Sequence, residues 1–234
     1  SNYRELNNDI VELLKQDLVA LGAGPVTVIG NWKRKEAYAV DERTIACLSE
    51  ELGTDAYTLV VSYVGLLFEH RELKPLIEAA KAMPDVLVLI AGRGDLQPQV
   101  EDAARQYANI RYVGWLAQTD VPAYTRISDV IYCCLSKTAP TMRYASPNKL
   151  FEAIITATPI IATRGVGEIG QMIERDGIGY LVDDNTSQAL MQAFDDLQDA
   201  DLRNEIAQQL TIASEEYNWE MAEARLTKLY ASLL

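Results

Sequence analysis

The residues best suited to chemistry stand together in Ser146-Pro147-Asn148-Lys149-Leu150-Phe151-Glu152-Ala153. Serine followed by proline reads as a helix start, with Ser146 as the cap and Pro147 at the first helical position. The amides of Asn148 and Lys149 then point out of the helix N-terminus, where hydrogen bonding and the helix dipole favour an anion. Lys149 adds a full positive charge beside them. Glu152, one turn further in, is an acceptor suited to sugar hydroxyls. The spacing fits a phosphate site flanked by hydroxyls. It fits equally well a helix whose amides are capped by the Ser146 hydroxyl, with Lys149 simply solvated.

Other reactive residues offer less. The chain has one histidine, His70, with no Ser or Cys arranged beside it for nucleophilic catalysis, so it reads as an ordinary surface or loop histidine. Of the three cysteines, Cys133 and Cys134 are adjacent inside an apolar run and read as buried structural thiols. An odd count with two neighbours argues against a disulfide framework and for a reducing, cytoplasmic compartment. No metal-ligand spacing occurs, so no metal or cofactor is expected. The phosphate cradle of P-loop enzymes is missing, as are the GxSxG elbow and a GxGxxG after the first strand.

The elements that must position these residues follow from hydrophobic spacing. Residues 6–21 read as an amphipathic helix, 26–29 as a short strand and 44–52 as a second helix. From residue 59 strands and helices alternate. Strands are expected at 59–64, 86–91, 110–113, 130–135, 159–162 and 179–182, with helices between them and over most of 186–234. That alternation, without hairpin signals, predicts an α/β fold with a doubly wound parallel sheet of Rossmann type. In such sheets ligands sit beyond the carboxyl ends of the strands. The segments to inspect are Gly65, Gly92-Arg93-Gly94, Gly114-Trp115, the 136–149 loop and Arg164 to Gly167. Glycine there lets backbone approach a ligand, although such turns prefer glycine anyway.

Composition bounds the partners. The chain of 234 residues carries 34 acidic against 21 basic side chains, a net charge of −13, which disfavours a nucleic-acid partner. Its 49% hydrophobic and 24% charged content is that of a globular protein. No apolar run is long enough to cross a membrane as a helix.

Taken in order, the landmarks resemble those of one family. They are Tyr63-Val64-Gly65, Leu76 to Ala79, Pro84 to Gly94, Asn109 to Gly114, Ser128-Asp129-Val130, Lys149 to Ala153 with Thr158 to Thr163, Asp176 to Val182, and Tyr217 to Glu220. Together they resemble the C-terminal, nucleotide-sugar-binding half of a group 1 retaining glycosyltransferase with the GT-B fold. The resemblance implies transfer of a sugar from a UDP- or GDP-sugar donor to an acceptor, in polysaccharide biosynthesis. It implies that Glu152 binds the nucleotide ribose, and that Arg71 and Lys149 carry the catalytic charge on the leaving diphosphate, with the Asn148 and Leu150 region of the helix start supporting it. Gly65, Gly92, Gly114 and Trp115 would line the donor site, Trp115 beside the nucleobase. Two positions depart from the family pattern. Leu66 stands where the family has a phosphate-binding arginine, and Tyr144 stands where it has the glutamate paired with Glu152.

The same resemblance divides the chain into residues 1–54, a helix, crossover strand and linker left from the acceptor half; 55–200, the donor-binding domain; and 201–234, C-terminal helices. It implies a missing N-terminal acceptor domain, without which the chain would bind donor but not transfer sugar. Two alternatives stay open: a non-catalytic nucleotide-binding module of Rossmann or flavodoxin type, and a nucleotide-sugar 2-epimerase, which the single His70 disfavours.

Overall fold

The computed structural model describes residues 12–231, apart from 25, 28, 140, 141 and 143. Six strands form one parallel sheet: β1 Leu59–Val64, β2 Val86–Ala91, β3 Ile110–Gly114, β4 Val130–Tyr132, β5 Ile160–Thr163 and β6 Tyr180–Val182. Their order is β3-β2-β1-β4-β5-β6, as expected of a doubly wound sheet. The chain builds outward from β1 to β3, then returns to β4 on the other side of β1. The crevice opens beyond the carboxyl ends of these two neighbours.

Period-two alternation decides which side chains meet which helices. Leu59, Val61 and Tyr63 of β1 and Val86, Val88 and Ile90 of β2 enter the main core. Val60, Leu87 and Leu89 face the other way, against Leu52, Tyr57 and Ile127. The connecting helices are α3 Leu73–Ala82, α4 Gln97–Gln106, α5 Val121–Arg126, α6 Asn148–Thr156 and α7 Gly167–Asp176. Before the sheet come α1 Glu12–Ala20 and α2 Glu42–Leu52; after it come α8 Ser187–Leu197, α9 Ala200–Ser214 and α10 Trp219–Ala231. The main core also takes in Ile29 and Trp32 from the first segment and Ile206, Leu210 and Ala222 from the last. Buried Asn109 donates through Nδ2 to the carbonyls of Ala80, Met83 and Val86, at 2.8, 3.0 and 2.9 Å. This joins the end of α3 to the start of β2.

Four expectations need correction or a limit. Residues 26, 27 and 29 form no strand; the segment that follows instead touches the C-terminal region, through an isolated bridge between Lys33 and Asn218. The strand expected over 130–135 extends only to Tyr132, although the Cys133 amide still donates to Ile161 O at 2.9 Å. Ser146 does not cap α6. Its hydroxyl donates to Glu168 Oε2 at 2.7 Å, since the Glu168 amide is already bonded to Ala145 O at 3.0 Å and holds that carboxylate close. Pro147 is the capping residue, and no side chain caps the helix. The first helix is described only from Glu12, so residues 6–11 of that expectation lie outside the described residues.

Candidate functional site

The crevice between β1 and β4 is a cleft of about 410 Å³. Its floor depends on glycine. Gly92 has φ +145°, and a Cβ there would lie 1.7 Å from Gly65 O. A Cβ on Gly65, at φ +156°, would lie 2.8 Å from the Lys149 ammonium. The two turns therefore approach each other more closely than any side chain at Gly92 permits, with the Lys149 ammonium packed beside them.

Three cations line the cleft: Arg71, Lys149 and Lys33. Lys149 is only 7% exposed, and its ammonium sits 4.2 Å from the centre of the Tyr63 ring. Among the described residues it takes part in no hydrogen bond or ion pair, and burial lowers its pKa below the ordinary lysine value. A buried ammonium held by a ring face alone favours an incoming anion. Arg71 is the last residue of the 3₁₀ turn Glu69–Arg71 that leads into α3, and its Nε is buried without a partner. Lys33 Nζ donates to Asn148 Oδ1 at 2.9 Å; burial lowers its pKa, and the Glu152 carboxylate opposes that shift. Beneath these charges Cys133 is buried, and burial raises its pKa, so the thiol stays protonated.

Glu152 faces the same cleft and accepts from Tyr38 Oη at 3.3 Å. Burial, with the Glu152 charge added, raises the Tyr38 pKa far above the ordinary tyrosine value, so this phenol remains a donor. At the far side Trp115 is 56% exposed, with the Arg93 guanidinium 4.3 Å from its ring centre. The cleft thus runs from an exposed aromatic face, past unpaired cations and the uncapped start of α6, to a carboxylate. This arrangement can seat a flat ring, an anion and hydroxyls in sequence.

Gly65, Arg71, Gly92, Trp115, Asn148, Lys149 and Glu152 all line the cleft, together with Leu66. Three other expected residues do not. Leu150 is fully buried in the core because it lies on the inward stripe of α6 with Phe151 and Ile154; its amide bonds to Pro147 O at 3.0 Å. Tyr144 is turned away, its phenol donating to Asp17 of α1. Gly114 acts from behind, its carbonyl accepting the Gly92 amide at 2.8 Å. Sequence reasoning missed Lys33, Tyr38 and Arg93. The first two come from a polar stretch with no motif of its own, brought over α6 by tertiary contacts. Trp219 N bonds to Lys33 O at 2.9 Å, and Trp32 packs edge-on against Tyr217 with ring centres 5.6 Å apart.

Among the described residues, no group of three or more His, Cys, Asp or Glu could hold a metal ion, and no helix is long and apolar enough to cross a membrane. The sheet order and the cleft at its switch point define a Rossmann-like half of the GT-B type. The structure is similar to that of Anabaena Alr3699/HepE, solved in complex with UDP, with a TM-score of 0.77 at 19% identity; the match covers 94% of this chain and 61% of that one. The model for glycosyl transferases group 1 matches residues 48–217, and the chain belongs to that family. It is 26% identical over 212 residues to the lipopolysaccharide core biosynthesis glycosyltransferase LpsE of Rhizobium meliloti, covering 87% of this chain and 58% of that protein. It is 29% identical over 156 residues to the phosphatidyl-myo-inositol mannosyltransferase of Mycobacterium leprae, covering 64% of this chain and 38% of that protein. The chain therefore spans roughly half the length of these relatives.

Proposed function

We propose that this chain is the donor-binding part of a retaining glycosyltransferase and holds a nucleoside diphosphate sugar in the β1/β4 cleft. The observation that carries this reading is the convergence of Arg71, Lys149 and Lys33 on one uncapped helix start. None of the three forms an ion pair among the described residues, although the chain as a whole is acidic. The diphosphate takes these charges and the first amides of α6. Glu152 accepts from the ribose hydroxyls, and the base lies on Trp115. The UDP in the similar Anabaena structure supports a uridine nucleotide as the first donor to test.

In the reaction, the bond from the anomeric carbon to the diphosphate oxygen breaks. A bond from that carbon to an acceptor hydroxyl forms on the same face, and the acceptor's proton is released. Charge grows on the departing diphosphate, where the preorganised cations lower the barrier. The acceptor is a polysaccharide or glycolipid intermediate in the cytoplasm, in keeping with the named activities of the relatives. A separate acceptor-binding domain completes the cleft, and the 234 residues alone bind donor without transferring sugar.

Calorimetric titration with UDP, GDP and their sugars tests this reading. Binding at micromolar to millimolar concentration, lost about tenfold in Lys149→Ala and in Glu152→Ala, supports it. No binding at millimolar ligand overturns it, and turnover by this chain alone overturns the need for another domain. One observation favours a second reading, a module that binds nucleotide but does not process sugar. Tyr144 occupies the position of the paired glutamate and is engaged by Asp17. Equal affinity for UDP and UDP-sugars would select that alternative.

A further inference from the structure

Arg71 ends a 3₁₀ turn closed by two local bonds, Arg71 N to Phe68 O and Glu72 N to Glu69 O, both at 2.9 Å, but the chain leaves that turn in a strained conformation. The next residue, Glu72, has φ +49°, in the left-handed region that side chains such as glutamate rarely adopt. No side-chain cap holds this start of α3. Groups from two distant segments do. Tyr132, at the end of β4, donates through Oη to Glu72 O at 2.7 Å. Asn185, in the loop after β6, places Nδ2 at 2.7 Å from Tyr132 Oη, 3.1 Å from Glu72 Oε2 and 3.3 Å from Glu72 O. On the other side of Arg71, the carbonyl of His70 accepts the Ser136 amide at 3.2 Å. The peptide entering Arg71 and the one leaving Glu72 are thus held by partners from distant segments. Tyr132 is fully buried and burial raises its pKa well above the ordinary value, so its hydroxyl remains a donor.

We propose that Asn185 and Tyr132 are positioning residues for Arg71. They hold Glu72 left-handed, aim the guanidinium into the cleft, and so set the affinity for the diphosphate without touching it. Asn185 borders a different groove, of about 690 Å³ along α3 and α4, and does not line the nucleotide cleft. The inference rests on the donor-site reading and extends it to residues outside the site.

The test is a set of titrations of the full 234-residue chain with UDP and with uridine, followed by NMR so that weak binding is also measured. Asn185→Ala is expected to weaken UDP about tenfold and to leave uridine within about twofold, because only the phosphates meet Arg71. Glycine adopts φ > 0 without support, so Glu72→Gly added to Asn185→Ala should recover most of the loss. Tyr132→Phe removes one oxygen and keeps the ring; it carries the same expectation and serves if Asn185→Ala does not fold. Equal losses for UDP and uridine, no loss at all, or no recovery with Glu72→Gly would each overturn the positioning role. If UDP binds, and Arg71→Ala weakens it while Asn185→Ala and Tyr132→Phe do not, the positioning inference fails alone. If the unaltered chain binds no UDP, the donor-site reading fails and takes the inference with it.

Discussion

The turns after β1 and β2 form one wall of the cleft from local backbone, with Gly65 and Gly92 in van der Waals contact and the Gly92 amide bonded to Gly114 O. The opposite wall is assembled from far apart in the chain. Lys33 reaches Asn148 and Tyr38 reaches Glu152 across 115 and 114 positions, from a segment fastened to Asn218 and Trp219. A wall made of backbone tolerates almost no added atom, because carbonyls and amides have no rotamer by which to give way. A wall made of side chains on a strap can lose a group and keep its shape. The first should therefore fail structurally, and the second chemically.

The largest effect expected is that of Gly92→Ala. Its methyl would overlap Gly65 O, and the substitution should cost about 3 kcal/mol or more, read from urea unfolding. A loss under about 1 kcal/mol would mean that the wall is not rigid. Next come the cations. Lys149→Met should lower UDP affinity about tenfold, or about 1.4 kcal/mol, while the fold is kept or stabilised, since it removes a charge held without a salt bridge. A melting temperature that falls along with affinity would blur the contrast between the two walls. Lys33→Ala should weaken UDP less, by about threefold, because part of its charge is spent on Asn148 and the strap remains anchored through Trp32. A loss as large as that of Lys149→Met would make the strap an equal partner in the site.

The smallest expected effect is a pH dependence with two signs. Lys149 has a lower pKa in the folded chain than the ordinary lysine value of 10.5, so the unfolded chain binds more protons in the interval between. Stability of the free protein should therefore rise with pH across that interval. UDP affinity should fall across the same interval as the ammonium discharges. In Lys149→Met both trends should flatten, as melting curves and titrations at pH 7 and pH 9.5 would reveal. An unchanged slope in the variant would assign the titration elsewhere.

Much of the first wall was legible because its signals are local. An apolar run ending in Gly65 and another ending in Gly92-Arg93-Gly94 each declare a strand end within a few residues, and on the opposite wall Pro147 before an amphipathic stretch declares the start of α6. Ser146 shows the limit of such signals. Serine before proline indicated a cap, but the hydroxyl has two acceptable uses, and Glu168 from the next helix decided between them. Leu150 is a second case: the helix start is legible, yet its side chain belongs to the apolar stripe of α6 that packs into the core. Tyr144 is a third, matched by position to a site residue yet drawn to Asp17.

Periodicity and turn chemistry in the sequence alone determined the strand succession and the helix start that carries Lys149 and Glu152, because each depends on contacts within a few residues; the alternation implied the parallel sheet, and Arg71 was marked only by the family resemblance. Only the tertiary structure decided that Lys149 would be buried against Tyr63 without an acceptor, that Lys33 and Tyr38 would join it, and that Asn185 would brace Glu72. Those outcomes come from long-range packing, in which a polar group is satisfied by whichever partner the fold brings within reach.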